Sequence, residues 1–282
     1  MFLEEQIYGI KQIHLIRTPF LDTFFKSVAL FDEEPLILYA AIGIIYGINR
    51  AFGVRFLLLL LINSLVNDTL KNFFQSPRPT FYDPTLSVFS SLGGYGFPSG
   101  GAQKAILTLG MLVGFQNRRF TWVSGGLFFL LLSFSRIYLG AHFFTDVFAG
   151  WIVGLFLVLA ATQASKIEFW LSQFKPNLML AGLSLLPIMT LFFETRVHTQ
   201  ILGFMASGIG IGLILSKNSY APSLKKGIAA IILSGTFDFI IFYNTEGNLF
   251  LFLIFAYGLF VTFGLERLFR VKSLFVTNEI KV

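Results

Sequence analysis

The sequence predicts an all-α, polytopic membrane helix bundle of about nine transmembrane helices preceded by an N-terminal amphipathic helix. Three observations predict it. Hydrophobic residues make up 55% of the chain and the mean hydropathy is +0.74, a composition outside the range of soluble domains. Apolar runs of roughly 17 to 21 residues recur, long enough to cross the hydrocarbon at about 1.5 Å per residue. Charged residues are only 13% of the chain, and most of the basic ones fall in short links between those runs. This scatter argues against a nucleic-acid surface despite the net charge of +6 and favours the lipid headgroups as their partner.

The elements follow in order. Leu3, Ile7, Ile10 and Leu15, interleaved with charges, read as an amphipathic helix lying at the interface. Glu4, Glu5, Lys11, His14 and Arg17 interrupt any continuous apolar core there, so no cleavable signal peptide is expected. Residues 18–32, with Asp22 and Lys26, fit an interfacial, re-entrant or short spanning segment. Spans are expected near 33–49, 54–74, 100–116, 120–138, 144–164, 176–193, 199–216, 226–243 and 248–267. The absence of cysteine excludes disulfides and thiolate metal sites.

Alternating these spans gathers Arg50, Arg55, Arg118, Arg119, Lys166, Lys175, Lys217, Lys225, Lys226, Arg267, Arg270, Lys272 and Lys281 on one side. The other side mixes Lys71, Arg78, Lys104, Arg136 and Arg196 with Asp32, Glu33, Glu34, Asp83, Glu194 and Glu246. The positive-inside rule makes the first side cytoplasmic and turns the second toward the periplasm or exterior, as in a multi-pass protein of a bacterial inner membrane.

Three stretches meet on that outer side. The first runs from Lys71 through NFFQSP to Arg78-Pro79, the second is Pro98-Ser99-Gly100-Gly101, and the third runs from Ser135-Arg136 through IYLGA to His142, FFT and Asp146. Ionisable groups are costly at a bilayer edge, so three cations aimed at one place imply an anion between them, and phosphate fits best. Arg78 and Arg136 offer forked donors to phosphoryl oxygens and Lys71 a third charge. The Ser99 hydroxyl and the N–H groups of Gly100 and Gly101 add donors at a helix mouth. His142 and Asp146, four residues apart, share a helix face. There the carboxylate can fix one ring nitrogen and leave the other to attack phosphorus. A phosphohistidine intermediate is expected, with neither metal nor cofactor.

These residues resemble the type 2 phosphatidic acid phosphatase superfamily, whose three motifs read K-x6-RP, PSGH and SR-x5-H-x3-D. The first and third match without a gap, and the likeness covers residues 54–164. It implies phosphate binding by Lys71, Arg78, Ser99, Gly100 and Arg136, a nucleophilic role for His142 and an orienting role for Asp146. It also implies a proton-donating histidine at the position of Gly101.

Without that donor an alkoxide leaves poorly, whereas a phosphate leaving group needs little help. The expected function is therefore a membrane lipid phosphatase acting on a lipid phosphate or diphosphate, such as undecaprenyl diphosphate. Its alternatives are a phosphotransferase between membrane lipids and a non-catalytic lipid-phosphate binder. His198, in the ETRVHT loop, is a candidate substitute acid, with Glu194, Tyr95 and Asp83 weaker ones. Asp238, inside the eighth span, is either functional or hydrogen-bonded to a neighbouring helix. Two regions are expected: a catalytic membrane domain over 1–165 and a four-helix extension over 166–282.

Overall fold

Polar and glycine-rich links punctuate the apolar runs, and helices occupy the intervals between them. The computed structural model describes residues 2–88, 93–166, 173–193, 197–216, 221–244 and 248–269. In chain order the helices are α1 (Phe2–His14), α2 (Pro19–Ala29), α3 (Glu34–Gly47), α4 (Arg50–Phe74), α5 (Pro79–Tyr82), α6 (Gly100–Phe115), α7 (Arg119–Tyr138) and α8 (Phe144–Ala161). There follow α9 (Pro176–Phe193), α10 (Val197–Leu215), α11 (Leu224–Asn244) and α12 (Asn248–Leu259), which runs on through a π turn at Phe260–Gly264. Among the described residues there is no strand. Among the described residues, four helical stretches are long and apolar enough to cross a membrane: Arg50–Tyr82, Arg119–Tyr138, Phe144–Ala161 and Leu249–Phe269.

The chain divides into two compact units. The first comprises residues 1–37 and 62–164. In it, α1 buries Ile10 completely and lays Leu3, Ile7 and Ile13 against a core of Leu86, Ala102, Ile137, Phe143 and Val147. Glu4, Glu5 and Lys11 stay exposed on the opposite side of the helix. The ambiguous 18–32 stretch forms α2, started by Thr18, whose hydroxyl accepts the Leu21 N–H, with Pro19 in the first helical position. Phe25 and Ala29 of α2 pack against Tyr138 and Leu139 at the end of α7. The following 3-10 turn, Leu30–Asp32, delivers Asp32 to the site described below.

Two close approaches position the site. Gly150 and Gly154, one turn apart on α8, bring that helix hard against α6. A Cβ at Gly150 would lie 2.5 Å from the Ser99 carbonyl oxygen, and one at Gly154 would lie 2.2 Å from Ile106 Cγ2. The Ser99 N–H consequently donates to the Asp146 carbonyl at 2.9 Å, tying the start of α6 to the start of α8. After α7 the chain reverses at Gly140, whose φ of 67° lies in the left-handed region and whose missing Cβ would collide with the Leu86 carbonyl. The N–H groups of Ala141 and His142 then both donate to the Arg136 carbonyl at 3.1 and 3.2 Å, so His142 is carried back beside the end of α7.

The second unit comprises residues 38–61 and 165–282. Its polar contacts join helices. Tyr46 on α3 donates to the Val261 carbonyl in the π turn at 2.7 Å, and Arg50 lies 3.4 Å from the buried Glu266 carboxylate. Asp238 on α11 accepts a 2.6 Å hydrogen bond from the Tyr39 hydroxyl on α3. A carboxylate within an apolar helix therefore has an interhelical partner.

Candidate active site

Within the first unit, four pieces of chain converge: the end of α4 with its loop to α5, the N-terminus of α6, the α7–α8 link and the turn before α3. Ser99 is fully buried, and its Oγ accepts the Ala102 N–H at 3.4 Å, which makes it the N-cap of α6. Gly100 and Gly101 are the first two helical residues, where N–H groups have no partner within a helix and the dipole end is positive. The Asn67 side chain donates to the Pro98 carbonyl at 3.1 Å and presses on Gly100, holding this turn from α4.

His142 is 3% exposed. Its Nε2 lies 3.2 Å from Arg78 Nη1, and since a guanidinium only donates, Nε2 is the acceptor and the neutral ring carries its proton on Nδ1. Nδ1 faces Asp146 Oδ2 at 3.5 Å, a separation that must shorten by a few tenths of an ångström for a firm hydrogen bond. The same Asp146 oxygen accepts the Phe143 N–H at 2.9 Å, which fixes the carboxylate at the start of α8. Burial lowers the His142 pKa to about 4, helped by the charges of Arg78 and Lys71, while the hydrogen bond and charge of Asp146 only partly oppose it. The ring is thus neutral at physiological pH, with its lone pair on the nitrogen away from Asp146.

Arg78 reaches several acceptors. Its Nε donates to the Gly93 and Gly94 carbonyls at 3.1 and 3.3 Å, and Nη1 donates to the Ala141 carbonyl at 2.9 Å. An open cleft of about 630 Å³ runs along it, lined by Gln75, Pro77, Thr80, Phe81 and Tyr95 among others. Arg136, 6% exposed, donates from Nε to Ser135 Oγ at 3.2 Å and from Nη1 to Asp32 Oδ2 at 2.8 Å. Its Nη2 is buried and has no hydrogen-bond partner among the described residues. Lys71, in the last turn of α4, lies near enough for its charge to act on both His142 and Asp32.

All eight residues expected at the site, Lys71, Arg78, Ser99, Gly100, Gly101, Arg136, His142 and Asp146, lie in this first unit. The substitute acid His198 falls at the start of α10 in the second unit, and its side chain is outside the described residues, as is Glu194. Asp83 is committed elsewhere: it pairs with Lys11 at 2.7 Å and accepts the Thr85 N–H at 3.0 Å. These contacts, the Lys11 bond foremost, hold its carboxyl well below the usual range and suit it poorly to proton donation. Among the described residues, no group of three or more His, Asp or Glu side chains is arranged to hold a metal ion.

Two site residues were not foreseen. Asp32 lies against Gly101, whose absent Cβ would sit 3.0 Å from Asp32 Cγ and 2.8 Å from Arg136 Cδ. Lys104, one turn along α6 and 7% exposed, hydrogen-bonds the Asp32 carbonyl and lies 3.3 Å from Oδ1. Both stood among the charged residues assigned to the outer side, but nothing in their spacing ties them to Gly101.

Fold and site together define a multi-pass helical membrane protein with a histidine–carboxylate pair in a cationic pocket. Residues 52–170 match the family model of the PAP2 superfamily. The chain is 28% identical over 156 residues, 51% of its own length and 74% of the other, to phosphatidylglycerophosphatase B of Bacillus subtilis. It is 27% identical over 132 residues, 46% of its length and 64% of the other, to an undecaprenyl-diphosphatase of Sulfolobus acidocaldarius. The crystal structure of Aquifex aeolicus LpxE shares its fold over 56% of this chain and 94% of that one, with a TM-score of 0.51 and 23% identity. Over residues 52–170 the chain is thus similar to the PAP2 superfamily, whose family model it matches there.

Proposed function

We propose that this protein is a lipid phosphatase that cleaves the terminal phosphate of a membrane lipid diphosphate through a phosphohistidine on His142. The observation that carries this reading is the His142 ring itself: neutral, with Nδ1 toward Asp146 and the Nε2 lone pair toward Arg78. A pure phosphate binder needs cations and N–H groups but no oriented nucleophile.

In the reaction, Arg78 turns its Nη1 from His142 to a phosphoryl oxygen, and Nε2 takes its place in line with phosphorus. Arg136 Nη2, Lys71 and the N–H groups opening α6 receive the remaining oxygens and stabilise the charge of the transition state. The N–P bond forms as the bridging P–O bond breaks, and the lipid monophosphate departs as an anion. Asp146 steadies the charged ring that results. The relatives' names span a phosphatidylglycerophosphatase and an undecaprenyl-diphosphatase, and the diphosphate is preferred here because Gly101 offers no proton to an alkoxide. The distribution of basic loops supports an active site facing the periplasm or exterior.

The test compares phosphate release from a prenyl diphosphate and from a phosphatidate-type monoester by the purified full-length protein in lipid nanodiscs. Release from the diphosphate at least ten times faster is expected. Equal or faster release from the monoester rejects the diphosphate preference, and transfer of the phosphate to a second lipid instead of water identifies a phosphotransferase.

A further inference from the structure

The carboxylate of Asp32 has no part in the chemistry above, yet it sits at the centre of the cationic pocket. Three observations bear on it. It fills the space beside Gly101 that a side chain there would occupy. It shares one guanidinium with the anion site, since Arg136 Nη1 holds it at 2.8 Å while the neighbouring Nη2 is buried with no partner among the described residues. And 21% of its side chain remains accessible, against 7% for Arg136 and 8% for Lys104, so the carboxylate is the most open member of this cluster.

A phosphohistidine must be hydrolysed, and the attacking water must lose a proton. Of the other carboxylates, Asp146 faces the His142 ring it orients, and Asp83 pairs with Lys11 rather than with a cation of the site. Asp32 shares the Arg136 guanidinium with the anion site, bound on Nη1 while Nη2 is left for the phosphate. We propose that Asp32 is the general base of the second half-reaction, held over the phosphohistidine by Lys104 and Arg136. This role rests on the phosphohistidine reading of the site.

The step balances. The water oxygen forms a bond to phosphorus while one of its protons passes to a carboxylate oxygen of Asp32. The P–N bond breaks with its electron pair returning to His142 Nε2, and Asp32 then hands the proton to the departing phosphate. Burial alone would raise the carboxyl pKa, but Lys104 and Arg136, with Lys71 beyond them, outweigh it and keep the group ionised. Such a carboxylate is a weak base, which suffices where the transition state is loose and positioning of the nucleophile dominates. The same ionisation leaves it no proton to give an alkoxide, so a base at this position and a diphosphate preference go together.

The experiment is a rapid-quench measurement with a prenyl diphosphate radiolabelled on its terminal phosphate, using the full-length protein and its Asp32→Asn and Asp32→Glu variants. Asp32→Asn, which keeps the side-chain shape and an acceptor for Arg136, is expected to slow labelling far less than it slows release, the latter by about 10²–10⁴-fold, so that phosphoenzyme accumulates. Asp32→Glu recovers part of the release rate. Release within a few-fold of the unsubstituted rate overturns the proposal. So does labelling slowed as much as release, which would make Asp32 merely a structural counter-ion. Should Asp32→Asn fail to fold, Asp32→Glu carries the test: unimpaired labelling with slowed release supports the role, and any other pattern overturns it. No label on the unsubstituted protein overturns the phosphohistidine reading and this role with it.

Discussion

The space at Gly101 can be probed with a single methyl group. In Gly101→Ala the new Cβ would stand 2.8 Å from Arg136 Cδ and 3.0 Å from both Cγ and Oδ2 of Asp32. Carbon atoms prefer about 3.5–4.0 Å, so the two side chains must each retreat by roughly 0.5–0.7 Å or more. Such overpacking costs about 1–3 kcal/mol, and replacing glycine with alanine within a helix returns about 0.5–1 kcal/mol, so stability falls by no more than about 2.5 kcal/mol. Function suffers more. Moving Asp32 by this amount stretches its 2.8 Å pair with Arg136 and displaces the guanidinium that is to hold the phosphate, and a misplacement near 1 Å is worth about 10²-fold in rate. Phosphate release in nanodiscs and thermal unfolding, measured side by side, separate the two effects: a loss of about 10–10²-fold in turnover is expected from a protein that still folds. Unchanged turnover together with an unchanged unfolding temperature would refute the reasoning, because it would show that Asp32 and Arg136 do not fill that space.

Other consequences are equally checkable. His142 acts as the free base, and its folded pKa is lowered from 6.5 to about 4, so activity is present above that value and is lost as pH falls through it. The acid limb of a kcat/KM profile is therefore expected near pH 4, and a limb at pH 6.5 would show an exposed ring. Arg78→Gln removes a positive charge beside the ring, so that limb should shift upward while turnover falls. Gly154→Leu forces a side chain into Ile106 and the Gln103 backbone and should abolish folding, as judged by loss of a monodisperse peak in detergent. Tyr39→Phe removes the donor to Asp238 in the second unit and should lower stability by about 1–3 kcal/mol with phosphate release per folded molecule unchanged.

Much of this was legible in the sequence because lipid imposes strong constraints. A helix must be apolar over its whole spanning length, so intervals such as 120–138 and 144–164 coincide with α7 and α8 to within three residues. The grouping of the candidate residues was legible for a similar reason: cations and a histidine are costly at a bilayer edge, and their spacing along the chain restricts what they can face. The 18–32 stretch was not legible, since a segment of eleven helical residues with Asp22 and Lys26 has neither the length of a span nor the pattern of a loop. Tertiary packing against Tyr138 and Leu139 decides its place. Asp32 escaped for the same cause. It lies about seventy residues from Gly101, outside any motif, and only the fold brings the two together. Asp238 stood open between function and an interhelical bond until Tyr39 was seen opposite it.

The central claim is that His142 carries the phosphoryl group. The most direct measurement reacts the purified protein with a prenyl diphosphate radiolabelled on its terminal phosphate, quenches it in alkali within milliseconds, and maps the label by peptide. Acid-labile, alkali-stable label on the peptide containing His142, absent from His142→Gln, is the expected result. Phosphate release without any label on that peptide, or undiminished turnover in His142→Gln, would contradict it.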